Sequence, residues 1–457
     1  MIKYFKPAKA VPYMKSYVVI GGGAAGMSAA SRIRKRDPDS SIKVFEESGY
    51  VSYGPCGIPY FIQGLVNEAE DLVTYTPEFF KKNRRIDVYV KSKVLGIDAS
   101  AKSIRAITNG KEITLNYDML VLATGASPFI PEKKWLEAEQ VFTVRYIEDA
   151  ITIKKRLADS KNIGIVGGGY IGIEMAEGLS AIGKKVTIME AMPQIMPNMD
   201  TDIAALVEKA VIDKGVKIEK GLAVKGIYGG KDRPNVIVET DGGRASFDGV
   251  ILSMGVKPNT DLARTAGLKL GSTKAIAVDD HMLTSDPSIL AAGDNVEIRS
   301  MITGGPVYVP LAPEANKEGY VAGTNATGGN LAFPGTVGSS ITKFYDMEIG
   351  SVGLTEKAAR AAGMNVRSVT IEGENMAGYY PGGSEIKIKL VYIAESKAIV
   401  GAQALGRGAW GRISALSVAI QAKFNLNDLF FSGIPYAPPF SPVWDSVIIA
   451  ARVGKES

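Results

Sequence analysis

One glycine-rich pattern occurs twice in this chain, as SYVVIGGGAAGMSAA at 16–30 and as NIGIVGGGYIGIEMA at 162–176. Each copy reads as a buried apolar strand, a glycine turn, a helix of small residues, and a second strand ending in acid, IKVFEE (42–47) or KVTIME (185–190). Gly21, Gly23 and Gly26 fill the G-x-G-x-x-G positions of the first turn, with Ala25 among them; Gly167, Gly169 and Gly172 fill those of the second. Such spacing permits a tight turn, close backbone approach to a pyrophosphate, and tight packing of helix on strand. Glu46 follows Gly26 by 20 residues and Glu190 follows Gly172 by 18, where a carboxylate accepts from ribose hydroxyls. Two dinucleotides are therefore expected. Glu190 would repel a 2′-phosphate, which favours NADH, although Lys184 and Lys185 leave NADPH open.

The echo continues at YDMLVLATGA (117–126) and FDGVILSMGV (247–256), each a strand broken by glycine. With 457 residues the chain holds more than one core, because single cores stop growing at about 250–300 residues. After the second unit, residues 275–297 read as a strand, a turn and a short strand ending at Gly293-Asp294. From about residue 330 the pattern changes to alternating strands, EIKIKLVYI (385–393) and AIVGAQALG (398–406), then the helical run 412–424. The segment IPYAPPFSPVW (434–444) is too proline-rich for a helix or central strand and should lie extended.

Cys56, in VSYGPCGIPY, is the only cysteine, and His281 the only histidine. A reductase that stores electrons in an internal dithiol needs two thiols. Cys56 can cycle only by bonding sulfur from a small molecule or by forming a sulfenic acid. A formal charge of +5, without a long block of one sign, gives no indication of nucleic acid. Neither a signal-peptide core nor an apolar run of the ~18 residues of a membrane helix is visible, so a cytoplasmic protein without membrane partners is expected. Residues 1–13, ahead of Met14, are given no function.

These motifs, with LAAGD (290–294), VPLAPEANKEG (309–319) and YAPP (436–439), resemble the pyridine nucleotide–disulfide oxidoreductase superfamily, and within it the single-cysteine branch. That branch includes coenzyme A disulfide reductases, persulfide reductases, NADH oxidases and NADH peroxidases. The resemblance implies an α/β fold of two Rossmann-like domains plus a C-terminal α+β dimerisation domain. It divides the chain into 1–148 and 273–328 for FAD, 149–272 for NAD(P)H, and 329–457 for dimerisation. Thr124 and Gly125 would lie against the FAD, and Asp294, after Gly293, would bond its ribityl chain. The helix opening near Ala312 would aim its N-terminus at the flavin. Tyr170 is similar to the aromatic gate over the flavin, and Glu174 to the acid that places the nicotinamide. Cys56 would sit at a helix N-terminus, where backbone amides lower a thiol pKa.

Peroxidase-like members and many oxidases carry a histidine in the first glycine turn; Ala24 and Ala25 stand there. Coenzyme A disulfide reductases use a tyrosine of YAPP that reaches the partner's cysteine, here Tyr436. A second tyrosine matches Tyr380 in GYYPG, with Tyr379 one position away. The CoA-binding positions correspond to Ser28, Arg32, Lys35, Ser52, Arg84 and Asn316, whereas Trp444 stands where such reductases can carry a lysine. The implied function is a homodimeric FAD enzyme using NADH, or NADPH, to reduce CoA disulfide through a Cys56–CoA mixed disulfide, with no metal. Alternatives are persulfide or polysulfide reduction, often by enzymes with an added rhodanese domain, and NADH oxidation through a Cys56 sulfenic acid. A flavin-bound redox sensor or electron-transfer partner is a further reading.

Overall fold

The computed structural model describes residues 14–229 and 235–456, so the N-terminal stretch 1–13 lies outside the described residues. The first sheet orders its strands Ile289–Ala291, Met119–Leu122, Ser16–Ile20, Ser41–Phe45, Asp87–Tyr89, all parallel. The second runs Lys217–Lys220, Lys185–Glu190, Asn162–Val166, Gly249–Leu252, Val141–Thr143, again all parallel. The glycine-turn strand is central in each, which puts the binding crevice at its carboxyl end. Each unit also carries a three-stranded antiparallel sheet, Lys93–Asp98, Ser103–Thr108, Lys111–Asn116 in the first and Val224–Tyr228, Val236–Thr240, Gly243–Phe247 in the second.

The duplication reaches into the loops. Ser52 N donates to Gly22 O at 2.9 Å, and Met196 N donates to Gly168 O at 2.8 Å. Both donors adopt left-handed backbone, φ 51 and 49. Val51 and Ile195 fill the space that side chains on Gly22 and Gly168 would need. Ten residues after each acid the loops reach Cys56 and Asp200. Asp200 precedes the 13-residue helix Thr201–Asp213, whereas Cys56 lies in the short turn Pro55–Gly57 ahead of Ile58–Gln63.

Two boundaries differ from those expected at 148/149 and 272/273. Val141–Thr143 already pairs with Gly249–Leu252 of the second sheet, and Ala263 and Leu268 already pack into the first core. These elements are too short to show a period in the sequence. They follow the edges to which they bond. Between them the tails Ala126–Pro128 and Val256–Pro258 pair antiparallel and join the two units.

The C-terminal domain is an antiparallel sheet ordered Ser339–Phe344, Met347–Gly353, Ile399–Leu405, Glu385–Ile393, Val366–Glu374. The helices Ala409–Gln421 and Ser446–Glu456 cover it, with Ile413, Leu416, Val447 and Ala450 in its core. As expected, residues 434–444 form neither helix nor strand. No helix of the described residues is long and apolar enough to cross a membrane.

The C-terminal sheet is joined to the second unit by buried charge. The Lys389 side chain, 5% exposed, lies 2.8 Å from Asp202, 3.0 Å from Glu356 and 3.3 Å from Asp200. Asp200 also accepts from Gln403 Nε2 at 2.6 Å and Glu356 N at 3.0 Å. Burial pushes the Lys389 pKa down, but its bonds to Asp202 and Glu356 overcome that and raise it. Removing the cation strands three carboxylates. Lys389→Met should lower stability by about 3 kcal/mol, read as a fall in the urea midpoint. Since the folded pKa is the higher one, the native contribution is present below the ordinary lysine pKa and fades only as pH rises through the raised value.

Candidate active site

The two glycine turns are closed by the same carboxylate geometry. Glu46 accepts from Gly22 N through Oε2 and from Ser48 N through Oε1, both at 2.7 Å. Glu190 accepts from Gly168 N at 2.7 Å and Met192 N at 2.8 Å. Gly21 and Gly167 sit at φ 109 and 104, and a Cβ on Gly26 or Gly172 would overlap the carbonyl of Gly21 or Gly167. Space is open beside Gly23 and Gly169 at the two helix N-termini. Each unit thus offers an open, amide-lined turn beside an oriented carboxylate, the donor set of a dinucleotide.

A cavity of about 1750 Å³ runs between the units, larger than the roughly 300–1,000 Å³ of a usual small-molecule pocket. Cys56, Ser28, Asn316, Arg145, Tyr170, Glu174, Glu190 and Ala312 all line it. His281 does not. Cys56 is exposed and free. Its turn is held by the short helix after it, whose Ile58, Phe61 and Ile62 are buried in the second unit's core beside Ile147 and Ile173. At about 1.5–3 kcal/mol per buried side chain, this packing outweighs any single loop bond. Gly178 makes it fit, since a Cβ there would lie 3.2 Å from Pro59 O.

The thiol departs from the expected lowered pKa. Although Cys56 is open to the cavity, desolvation by the residues packed around it pushes the thiol up, Glu174 pushes the same way, and Arg145 pulls it back. The Pro55–Gly57 turn is too short for amide dipoles to win. Glu174 is itself raised by burial, against a 2.7 Å bond from Thr342 Oγ1.

Other predicted residues take varied places. Thr124 Oγ1 donates to Asn259 O at 2.7 Å, and Asn259 Nδ2 returns a bond to Thr124 O, so Thr124 also ties the first unit to the second's tail. Gly125, at φ 64, lies against the Arg145 guanidinium. Asp294 pairs with that arginine at 3.1 Å rather than standing free. Gly293 N donates to Glu318, whose burial pushes its pKa to about 8. Ala312 opens the helix Ala312–Ala326, whose Gly319 and Gly323 pack on Ala25 and Ala29.

Along the first turn helix, Ser28 Oγ donates to Asn316 O at 2.8 Å, and Arg32 bonds Thr324 with its guanidinium 4.2 Å above the Tyr320 ring. Arg84 reaches Ser31 from across Tyr75, Phe79 and Phe80. Lys35 is exposed on the same helix. Arg32, Lys35, Ser52 and Arg84 do not line the cavity; Ser52 instead holds the loop through its backbone.

Of the two tyrosines in GYYPG, Tyr379 rather than Tyr380 meets Tyr436, their hydroxyls 2.9 Å apart and exposed. Backbone direction decides which of two adjacent side chains faces across, and here it turns Tyr379 toward Tyr436. Arg412 steadies both segments by bonding Asp445, Asn375 O and Phe440 O. Trp444 stacks on Phe430. Arg145, Asn259 and the serines around Tyr170 were missed, since none belongs to a spaced motif. Tyr170 OH lies 2.7 Å from Ser340 Oγ and 3.1 Å from Ser351 Oγ.

Comparison with known proteins places this geometry. The family described as pyridine nucleotide-disulphide oxidoreductase matches residues 15–319, and its dimerisation domain matches 339–447. The chain is similar to the NAD(P)H sulfur oxidoreductase (CoA-dependent) of Pyrococcus furiosus, 42% identical over 96% of this chain and 99% of the relative. Among solved structures it is similar to an NAD-dependent persulfide reductase from A. fulgidus, with TM-score 0.93 and 40% identity, covering 96% of this chain and 83% of that one. It is also similar to the water-forming NADH oxidase from Lactobacillus brevis bound to NADH, with TM-score 0.92 and 29% identity over 97% and 98% of the two chains. An engineered form of that oxidase, bound to NADPH, gives TM-score 0.92 and 28% identity over 96% and 98%. Because likeness runs through both nucleotide units and the dimerisation segment together, the chain belongs to the pyridine nucleotide-disulphide oxidoreductase family and is an NAD(P)H-dependent flavoprotein oxidoreductase.

Proposed function

We propose that this protein is a homodimeric flavoenzyme that uses NADH to cleave a sulfur–sulfur bond carried on coenzyme A, with CoA persulfide as the leading substrate. The observation that carries this reading is the single free thiol of Cys56, opening into the same cavity as Glu190, Tyr170 and Glu174. Without a second cysteine, the sulfur partner must come from the substrate. The sulfur substrates named for the similar proteins of Pyrococcus furiosus and A. fulgidus favour persulfide over CoA disulfide. The overall change is CoA–S–SH + NADH + H⁺ → CoA–SH + H₂S + NAD⁺.

The first unit fits FAD, with Gly21, Gly23 and Gly26 for the pyrophosphate and Glu46 for the adenosine ribose; the second fits NADH through the matching set. FAD, when bound, supplies the electron relay between nicotinamide and sulfur. Ala312 and Asp294 would hold its ring end and ribityl chain. Cys56 Sγ attacks the carbon-bound sulfur of the CoA persulfide, the sulfur–sulfur bond breaks and hydrosulfide departs, leaving a Cys56–CoA disulfide that the two electrons of NADH would cleave to the Cys56 thiolate and CoA thiolate. Arg145 favours the thiolate in this step and Glu174 opposes it. Tyr436 of the partner subunit, paired with Tyr379, donates a proton to the departing hydrosulfide, as no imidazole lines the cavity. Ser28, Asn316, Arg32, Lys35 and Arg84 form the CoA face, their cations suited to phosphate. Tyr170, on the cavity wall, would be the gate that shields the flavin until nicotinamide displaces it.

A preference for NADH has specific support. The NADPH-bound engineered oxidase replaced a glycine, an acid, an alanine, a methionine and a proline spaced by 18, 1, 1 and 5 residues. This chain carries Gly172, Glu190, Ala191, Met192 and Pro197 at the same spacing, and the last four line the cavity.

Anaerobic assay of NADH oxidation with CoA persulfide, CoA disulfide or neither tests the function. Sulfide release should track NADH, and Cys56→Ser should lower it at least about a hundred-fold; turnover that survives this change defeats the reading. Combining Gly172→Ala, Glu190→Ala, Ala191→Arg, Met192→Ser and Pro197→Arg should shift the NADPH-to-NADH ratio of kcat/KM about a hundred-fold or more towards NADPH. In flavin-free protein, alkylation of Cys56 by iodoacetamide should still be rising with pH beyond the ordinary thiol range. Glu174→Gln should move that inflection down and Arg145→Ala should move it up, measured by intact mass.

A further inference from the structure

We infer that Ser340 and Ser351, in the C-terminal domain, are positioning residues that latch the Tyr170 gate and so set how readily nicotinamide gains access. This rests on the gate role of Tyr170 proposed above. The two serines face one another across antiparallel strands, Ser340 directly opposite Ser351, with Oγ atoms 3.0 Å apart. Tyr170 OH completes a triangle at 2.7 and 3.1 Å. Each hydroxyl has one proton and spare lone pairs, so three hydroxyls satisfy one another in a ring. All three residues line the cavity, so the ring lies where a nucleotide must pass.

The latch belongs to a longer seam. Tyr170, Glu174 and Glu177 share one face of the helix Tyr170–Ala181 at i, i+4 and i+7. The strand Ser339–Phe344 meets them in order, Ser340 with Tyr170, Thr342 with Glu174 and Lys343 with Glu177. Glu177 is buried and ion-paired, which fixes the helix against the strand, while the tyrosine end faces the cavity and can let go. A ring pinned at its hydroxyl cannot swing until those bonds break. The C-terminal domain therefore takes part in admitting the coenzyme.

The test compares holoenzyme variants by calorimetric NAD⁺ affinity, by flavin fluorescence, and by separate kcat and KM for NADH. Ser340→Ala with Ser351→Ala should tighten NAD⁺ binding and lower KM by about three- to ten-fold, with kcat changed less. Tyr170→Phe, which keeps the ring but loses the hydroxyl, should give the same shift, and adding it to the serine pair should give no more. Ser351→Thr, which keeps a hydroxyl on a strand, should restore wild-type behaviour. Additive effects, or serine variants without effect while Tyr170→Ala tightens binding, would overturn the latch and leave the gate standing. If Tyr170→Ala also changes neither affinity nor flavin fluorescence, the gate reading fails and the latch goes with it.

Discussion

A glutamate carboxylate bonded to two backbone amides closes each nucleotide-type turn, and the geometry of the cleft depends on it. In each unit the acid at the end of the second strand reaches back to the middle glycine of the turn and forward to an amide two residues on. Hydrogen bonds to a charged acceptor contribute about 1.5–3 kcal/mol apiece, so the pair fixes strand end and turn as one body. Each oxygen keeps lone pairs for a ribose. The loop that follows then starts from a defined point and is pinned again six residues on, by Ser52 to Gly22 O or by Met196 to Gly168 O.

From that common frame the two units diverge at the tenth residue after the acid. In the second unit Asp200 joins Lys389, Gln403 and the Glu356 amide, and the loop becomes a structural joint. In the first unit Cys56 takes the corresponding place, and its following helix sinks three apolar side chains into the neighbouring unit's core. The cysteine is thus positioned by both units at once. One scaffold loop presents a free thiol in one copy and attaches a domain in the other. The raised thiol fits this origin, since burial pushes it up, Glu174 adds to the rise against the pull of Arg145, and the short turn offers little dipole.

The C-terminal domain does more than present a surface. Its edge strand grips the helix of the second glycine turn, Lys389 anchors the sheet to the next helix, and Arg412 with Asp445 holds the segments bearing Tyr379 and Tyr436. Side chains on this domain therefore reach toward both ends of the proposed reaction, the coenzyme gate and the protonating tyrosine pair.

The repeated glycine spacing, the paired acids and the solitary cysteine were legible because each is a local demand: a tight turn, a close phosphate and a thiol each require certain residue types at fixed separations. They determined the α/β architecture, the two nucleotide units and the chemistry open to Cys56. Short elements such as Val141–Thr143 were not legible, because three residues carry no period and take their place from the sheet edge they meet. Nor could the sequence set Tyr379 against Tyr436, join Thr124 to Asn259, pair Arg145 with Asp294, or set Ser340 and Ser351 around Tyr170. The sign of the thiol pKa shift was likewise decided by tertiary structure. Burial and charges brought from distant segments add up only in space, and nothing in the linear order of residues encodes their sum.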